Sequence, residues 1–295
     1  MVFSAQELLL VRESPLAALL PTGHSHRWEA SGVLALDGRL YVVCDDLRAI
    51  ARLGENLLPT DDVVTLPDGR GRGYEDLAHD PATGRFYLLV ESLRHGSRWM
   101  ARVEEYDADL QPVSHGWLDF DLPSSNKGME GLTCVRRSGT TYLLGLCEGN
   151  FCADGSRGRT PGGGRIQVFE QRGTEWAQVA SVRLPSTLPF RDYSALGARN
   201  EQLAVVSQES SALWVGRLEP GEWAVRDAGT LYSFPRDQHE KVVYCNVEGV
   251  SWLSDHDLVM VSDRAKRDEQ PDRCRVKEAS IHVFALPEVG PRPSP

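Results

Sequence analysis

One pattern constrains this chain more than any other: a pair of short, β-rich apolar runs joined by a tight turn, which comes back five times. The clearest copy runs from Gly128-Met129-Glu130-Gly131-Leu132-Thr133 to Tyr142-Leu143-Leu144-Gly145-Leu146-Cys147-Glu148. An acid opens its first run and another acid closes its second. The five copies begin at Ser31, Glu75, Glu130, Ser194 and Glu248, a mean spacing of about 54 residues. Gly, Asn or Asp sits in the turns, which is the signal of a β-hairpin. Both runs are continuously apolar, as suits a sheet covered on both faces by neighbouring sheets.

Further strand candidates follow each pair, for example Arg165-Ile166-Gln167-Val168-Phe169 and Ala177-Gln178-Val179-Ala180 after the third, and Ala212-Leu213-Trp214-Val215 and Ala224-Val225-Arg226-Asp227 after the fourth. Four antiparallel strands per unit at this period predict the blades of a β-propeller rather than the hairpins of a sandwich. The fifth unit has a third strand at 280–285 and then only a Pro-rich tail. Residues 7–12, Glu-Leu-Leu-Leu-Val-Arg, are therefore expected to supply its outer strand and close the ring, which removes an unpaired edge. The expectation is an all-β, five-bladed propeller occupying 1–295 as one domain. Six blades is the alternative if residues 7–30 hold more structure.

Antiparallel geometry brings the start of each first strand and the end of each second strand to one face of such a ring. There the sequence offers Ser31, Glu75, Glu130, Ser194 and Glu248 as starts and Asp45, Glu91, Glu148, Gln208 and Asp263 as ends, most of them acids. Carboxylates gathered on one axis repel, so a cation or shared protons must offset them. An all-oxygen set suits Ca²⁺ better than zinc or copper. Glu75, Glu130, Glu148, Glu248 and Asp263 are the candidate metal ligands, and Glu130 and Glu248 the candidate catalytic acids. The competing expectation is that acids at strand starts merely accept backbone N–H bonds from the neighbouring blade. The pair His24 and His26 ahead of the first unit is a weaker ligand signal.

The second-to-third-strand connections emerge on the same face, and two are long and basic. Lys127, Arg159, Arg264 and Lys266 are the candidates for gripping an anionic substrate, since guanidinium and ammonium groups pair with phosphate and carboxylate. Net charge of −10 opposes nonspecific binding to nucleic acid or anionic membrane. No apolar run approaches the ~20 residues of a membrane span, and the N-terminal residues lack the features of a secretory leader. The expectation is a cytoplasmic protein. Its six cysteines include no CxxC pair, which disfavours structural zinc. Reduced thiols are expected there, with Cys147–Cys152 and Cys245–Cys274 as the local pairings open to it in an oxidising compartment. No GxSxG elbow, P-loop or HExxH motif is present, so serine-nucleophile hydrolysis has no support.

Asn126-Lys127-Gly128-Met129-Glu130-Gly131-Leu132, with its echo Asn246-Val247-Glu248-Gly249-Val250, resembles the N-[RK]-G-[FM]-E-G-L phrases of the "esterase-like activity of phytase" family. The match is good over 126–150 and extends elsewhere through the repeats. It implies a propeller with phosphoester or ester hydrolysis, and carries a role over to Lys127, Glu130 and Glu148. Ser31-Gly32-Val33 through Asp45-Asp46 is more distantly similar to a blade of calcium-activated apyrases. The functional expectation is a Ca²⁺-dependent hydrolase of a small anionic molecule bound at the channel mouth. The rival is a non-catalytic module whose long loops engage a protein. Oligomeric state has no signature in the sequence.

Overall fold

A computed structural model describes residues 5–20, 28–66, 73–125, 127–264 and 271–287 of the 295-residue chain. Twenty strands form five four-stranded antiparallel blades, in the order expected from the repeats. Blade one holds Ala30–Leu36, Arg39–Cys44, Ala49–Gly54 and Val63–Thr65; blade two holds Asp76–Asp80, Arg85–His95, Arg98–Tyr106 and Pro112–Asp119. Blade three comprises Met129–Arg137, Thr140–Cys147, Arg165–Arg172 and Glu175–Arg183; blade four comprises Ala195–Arg199, Gln202–Ser207, Ala212–Arg217 and Thr230–Ser233. Blade five takes Val247–Trp252, Asp257–Ser262 and Ser280–Ala285, and its outer strand is the N-terminal Leu9–Pro15, antiparallel to Ser280–Ala285.

The closing strand lies slightly further along the chain than 7–12. Gln6–Glu7 instead pairs parallel with Thr230–Ser233 of blade four. The switch occurs at Leu8, whose side chain is 1% exposed in the core between blades four and five. Burying that leucine fixes where the segment crosses from one blade to the next, and so ties the ring shut on two sheets. Blade four's outer strand also differs from the expectation at 224–227. Those residues lie in a turn region with a single bridge from Val225 to Leu218, and the pairing falls to Thr230–Ser233.

Packing explains why both inner strands read as unbroken apolar runs. The buried residues fall into five clusters, each at the interface of two adjacent blades. Every sheet therefore buries two faces, and residues of both parities along a strand are apolar.

The Glu-Gly and Ser-Gly pairs that mark the repeats have a structural cause. The register of the first two strands shifts between Ala30 and Gly32, between Met129 and Gly131, and between Val247 and Gly249. The extra residue at each bulge is Ser31, Glu130 or Glu248, and bulges re-aim the side chain they carry. The glycine that follows lets the next blade approach. A Cβ on Gly131 would stand 2.7 Å from Leu196 N of blade four, and one on Gly249 would stand 2.9 Å from Val33 N of blade one.

Side chains then stitch the inner strands together. Asp76, 2% exposed, accepts Leu132 N–H of blade three at 2.7 Å and Leu77 N–H at 2.8 Å. Ser194 donates to Val247 O at 2.7 Å, Ser31 to Tyr74 O, and Ser251 accepts Ala35 N–H at 3.0 Å. The structural role foreseen for polar residues at strand starts falls to these groups.

Candidate functional site

A cavity of about 730 Å³ opens on the face where first strands start and second strands end. Its floor carries Glu248 from the bulge of blade five, Asp263 from the end of that blade's second strand, and Glu148 from the equivalent end in blade three. Glu248 also feels Glu75 of blade two and Asp45 of blade one. Burial, then Asp263, Glu75, Asp45 and Glu148 in turn, push its carboxyl well above the ordinary range. Acids from four blades thus converge on one side chain, as a ring architecture requires and no single stretch of sequence could arrange.

Asp263 is pushed up as well, by burial first and then by Asp45, Glu29 and Asp46, against the backbone N–H of Arg264. Its Oδ1 is buried and accepts no hydrogen bond among the described residues. Glu29, Asp45 and Asp46 each place a carboxylate oxygen within 4.8 Å of the others. These three belong to blade one and its approach, so the acidic ground spans the junction between the last blade and the first.

The rim is basic. Lys127, Arg159, Arg191 and Arg264 line the cavity. Lys127 pairs with Glu148; burial works against its charge, but Glu148, with Glu130 and Asp154, holds its pKa above the ordinary value. Arg159 and Arg191 both meet Glu209, the latter at 3.7 Å. The floor is crowded with negative charge, while on the rim Lys127 has Glu148 to itself and Arg159 and Arg191 share Glu209.

Of the residues expected from the sequence, Lys127, Glu148, Arg159, Glu248, Asp263 and Arg264 line this one cavity. Glu75 reaches it through its field on Glu248. Glu130 is half-buried outside the lining and acts on Lys127. Lys266, His24, His26 and Asn126 lie outside the described residues. Sequence reasoning missed Arg191 and Asp192, which sit in the connection between blades three and four. The only signal was an Arg-Asp pair directly ahead of the fourth repeat, whose own start is a serine.

Two disulfides flank the cavity, where reduced thiols were expected. Cys147–Cys152 closes the base of the blade-three loop with its Cα atoms 5.2 Å apart. Cys245–Cys274 ties the approach to blade five to the short helix Asp272–Arg275, with Cα atoms 5.7 Å apart. Cys44 and Cys134 are free thiols, the first buried and the second partly so. Inside the first disulfide loop, Asn150 is fully buried. Its amide donates to Gly158 O and Phe190 O at 3.1 Å each, and its carbonyl accepts from Gly163 N–H at 2.8 Å and Tyr193 OH at 3.0 Å. One side chain therefore joins the loop bearing Asp154 and Arg159 to the segment bearing Arg191 and Asp192.

No family model matches the chain, and no curated protein does; the phytase-like resemblance of 126–150 thus gains no support there. Solved structures do match. Glutaminyl cyclase of Myxococcus xanthus is similar over 97% of this chain and 100% of its own, at 13% identity and a TM-score of 0.54. The WD40 repeats of RRP9 match over 96% and 99%, at 12% identity and a TM-score of 0.50. A GH43_1 enzyme of Xanthomonas citri, complexed with xylose, matches over 93% and 89%, at 13% identity and a TM-score of 0.50. Likeness at this identity establishes the all-β propeller fold. No described helix is long and apolar enough to cross a membrane.

Proposed function

We propose that this protein is a metal-dependent hydrolase of a small anionic ester, with a phosphoester as the foremost substrate class. The observation that carries the reading is the convergence of Asp263, Glu75, Asp45 and Glu148 on Glu248 beneath a rim of Lys127, Arg159, Arg191 and Arg264. Crowded carboxylates are stabilised by a bound cation, and an all-oxygen set fits Ca²⁺. The donors fit such an ion: Asp263 Oδ1 is buried and accepts no hydrogen bond among the described residues. Glu248 and Asp263 would hold it, with Asp45 and Glu75 behind them and Glu29 and Asp46 on the blade-one side. Glu148, on the same floor, is engaged by Lys127 and is assigned to holding that ammonium rather than the ion. When bound, the ion would polarise the scissile group and lower the pKa of a water.

The chain's own residues do the rest. Lys127, Arg159, Arg191 and Arg264 hold the anionic end of the substrate and stabilise charge that builds on the leaving oxygens. Glu130 maintains the charge of Lys127 as a positioning residue. The Asn150 hub and the two disulfides fix the spacing of rim and floor, which is what makes such contacts effective.

The test is thermal stability and hydrolysis of p-nitrophenyl phosphate and p-nitrophenyl acetate, with Ca²⁺ and with EDTA, for wild type and Glu248→Gln. The reading expects Ca²⁺ to raise Tm and to be required for turnover, and both effects to be lost in the variant. Stabilisation by Ca²⁺ without turnover of either probe would instead assign the cavity to a binding module. Absence of both effects would overturn the metal site.

A further inference from the structure

Asp192 stands apart from the floor acids in the same cavity. It precedes the first strand of blade four and is held from two sides: Ser207 Oγ–H donates to Oδ1, and the backbone N–H of Glu209 reaches both carboxylate oxygens at 3.2 Å. These donors are the last residue of blade four's second strand, Ser207, and Glu209 in the tight turn that follows it, so the carboxylate is fixed against the end of that hairpin. Its carbon skeleton is anchored by Tyr193, whose OH donates to Asn150 and whose N–H donates to Glu148 O at 2.9 Å. A carboxylate so placed, part-buried and open to the cavity, is pre-organised in the way a proton-transfer group must be.

We infer that Asp192 is the general base of this cavity, taking the proton of the attacking water. The inference rests on the hydrolase reading above. In the step, the water oxygen forms a bond to phosphorus or to the acyl carbon while its proton passes to the Asp192 carboxylate. The bond to the leaving oxygen breaks with its electron pair, and that oxygen is protonated from solvent. Asp192 then returns its proton to solvent.

The electrostatic surroundings agree. Burial raises the Asp192 carboxyl, the Ser207 and Glu209 donors lower it, and the charges of Glu209 and Glu148 raise it, leaving it at about 6. Facing it are Arg191 on its own segment, Glu209 and Ser207 on blade four, and Glu148 with Lys127 on blade three. Glu209 is partly offset by Arg159 and Arg191, and Glu148 by Lys127. The floor acids cannot take this role, because a cation on Glu248 and Asp263 would consume their basicity. A base that titrates near neutrality suits the working range of most hydrolases.

The experiment is the pH–rate profile of the whole protein with Ca²⁺ and p-nitrophenyl phosphate or p-nitrophenyl acetate. Wild type should show a rate that rises with pH through a limb near 6. Asp192→Asn should lose roughly 10²–10⁴-fold in kcat and flatten that limb, with Tm near wild type as the check on folding. Ser207→Ala should keep the plateau rate but move the limb to higher pH, because it removes a donor that favours the carboxylate; a merely structural aspartate would not respond so. Wild-type turnover matched by Asp192→Asn, limb included, overturns the assignment while leaving the hydrolase reading intact. Absence of turnover in wild type with both probes overturns both.

Discussion

Glu13 Oε2 on the closing strand lies 3.2 Å from His282 Nδ1 on the third strand of blade five. The histidine is fully buried, and its Nε2 meets Ser262 Oγ at 2.9 Å. Burial holds His282 below its ordinary pKa even though Glu13 pulls the other way, so the ring is neutral at pH 7. The contact is then an Nδ1–H donor to a carboxylate whose charge is balanced by Lys277. Tyr244 OH adds a second donor to the same oxygen at 3.2 Å. The strand that closes the ring is thus locked by one glutamate.

The lock gives a signed pH dependence. Hydrogen bonding to His282, against burial and with help from Lys277, lowers Glu13 from 4.5 to about 2. A depressed carboxyl contributes stability that is present above 4.5 and lost as pH falls toward 2. His282, also depressed, loses its contribution in the same direction as pH falls below its ordinary value. Because Glu13 is partly exposed, screening reduces its share to about 1 kcal/mol at neutral pH. Urea unfolding of Glu13→Gln should show that deficit at pH 7 and almost none at pH 2. An equal deficit at both would assign the glutamate a packing role instead.

Asp76 should matter more. It is buried, its carboxyl is raised well above the ordinary range by burial, and its two oxygens serve Leu132 N–H and Leu77 N–H. Asp76→Ala would strand two buried donors at the junction of blades two and three, at a cost of about 2–4 kcal/mol. Asp76→Asn keeps one acceptor and should recover roughly half. Equilibrium denaturation of the two variants separates the cases.

Much of this architecture was legible because it repeats. The hairpins and the terminal closing strand follow from a period and an unpaired edge, whereas the bulges at Glu130-Gly131 and Glu248-Gly249 emerge only from the strand register. Glu130 and Glu248 nevertheless part company. They occupy the same bulge in two blades, but Glu248 lies in the cavity and Glu130 lies beside Lys127, because neighbours rather than position decide what a re-aimed side chain meets. Asp192 and Arg191 escaped notice because connections between blades carry no period. The two disulfides are the pairings that the sequence left open, Cys147–Cys152 and Cys245–Cys274; what it did not disclose is that they are oxidised, because composition does not fix a redox state.

Gly131 offers a sharper test of the ring's packing. An alanine Cβ there would meet Leu196 N and Leu196 Cβ of blade four at 2.7 Å each. Backbone on one side leaves little room to yield, so Gly131→Ala should cost about 1–3 kcal/mol. Tm measured beside Ser138→Ala, a substitution in the exposed turn that ends the same strand, would distinguish strain at the inner strand from a general effect on blade three.

Redox state supplies the last prediction. Cys147 and Cys152 are five positions apart in the sequence, and Cys245 and Cys274 twenty-nine. Loop-closure entropy then assigns about 2 kcal/mol to the first crosslink and about 3–4 kcal/mol to the second. Reduction by a dithiol should therefore lower Tm in two separable amounts, which Cys147→Ser with Cys152→Ser, and Cys245→Ser with Cys274→Ser, would reproduce one at a time. The smaller effect on stability should be the larger effect on the site, because the first loop contains Glu148 and Asn150, and Asn150 anchors both rim segments. Mass spectrometry after alkylation under denaturing, non-reducing conditions should label Cys44 and Cys134 alone. Labelling of all six would mean that the protein carries these cysteines as thiols, and the stability differences should then vanish.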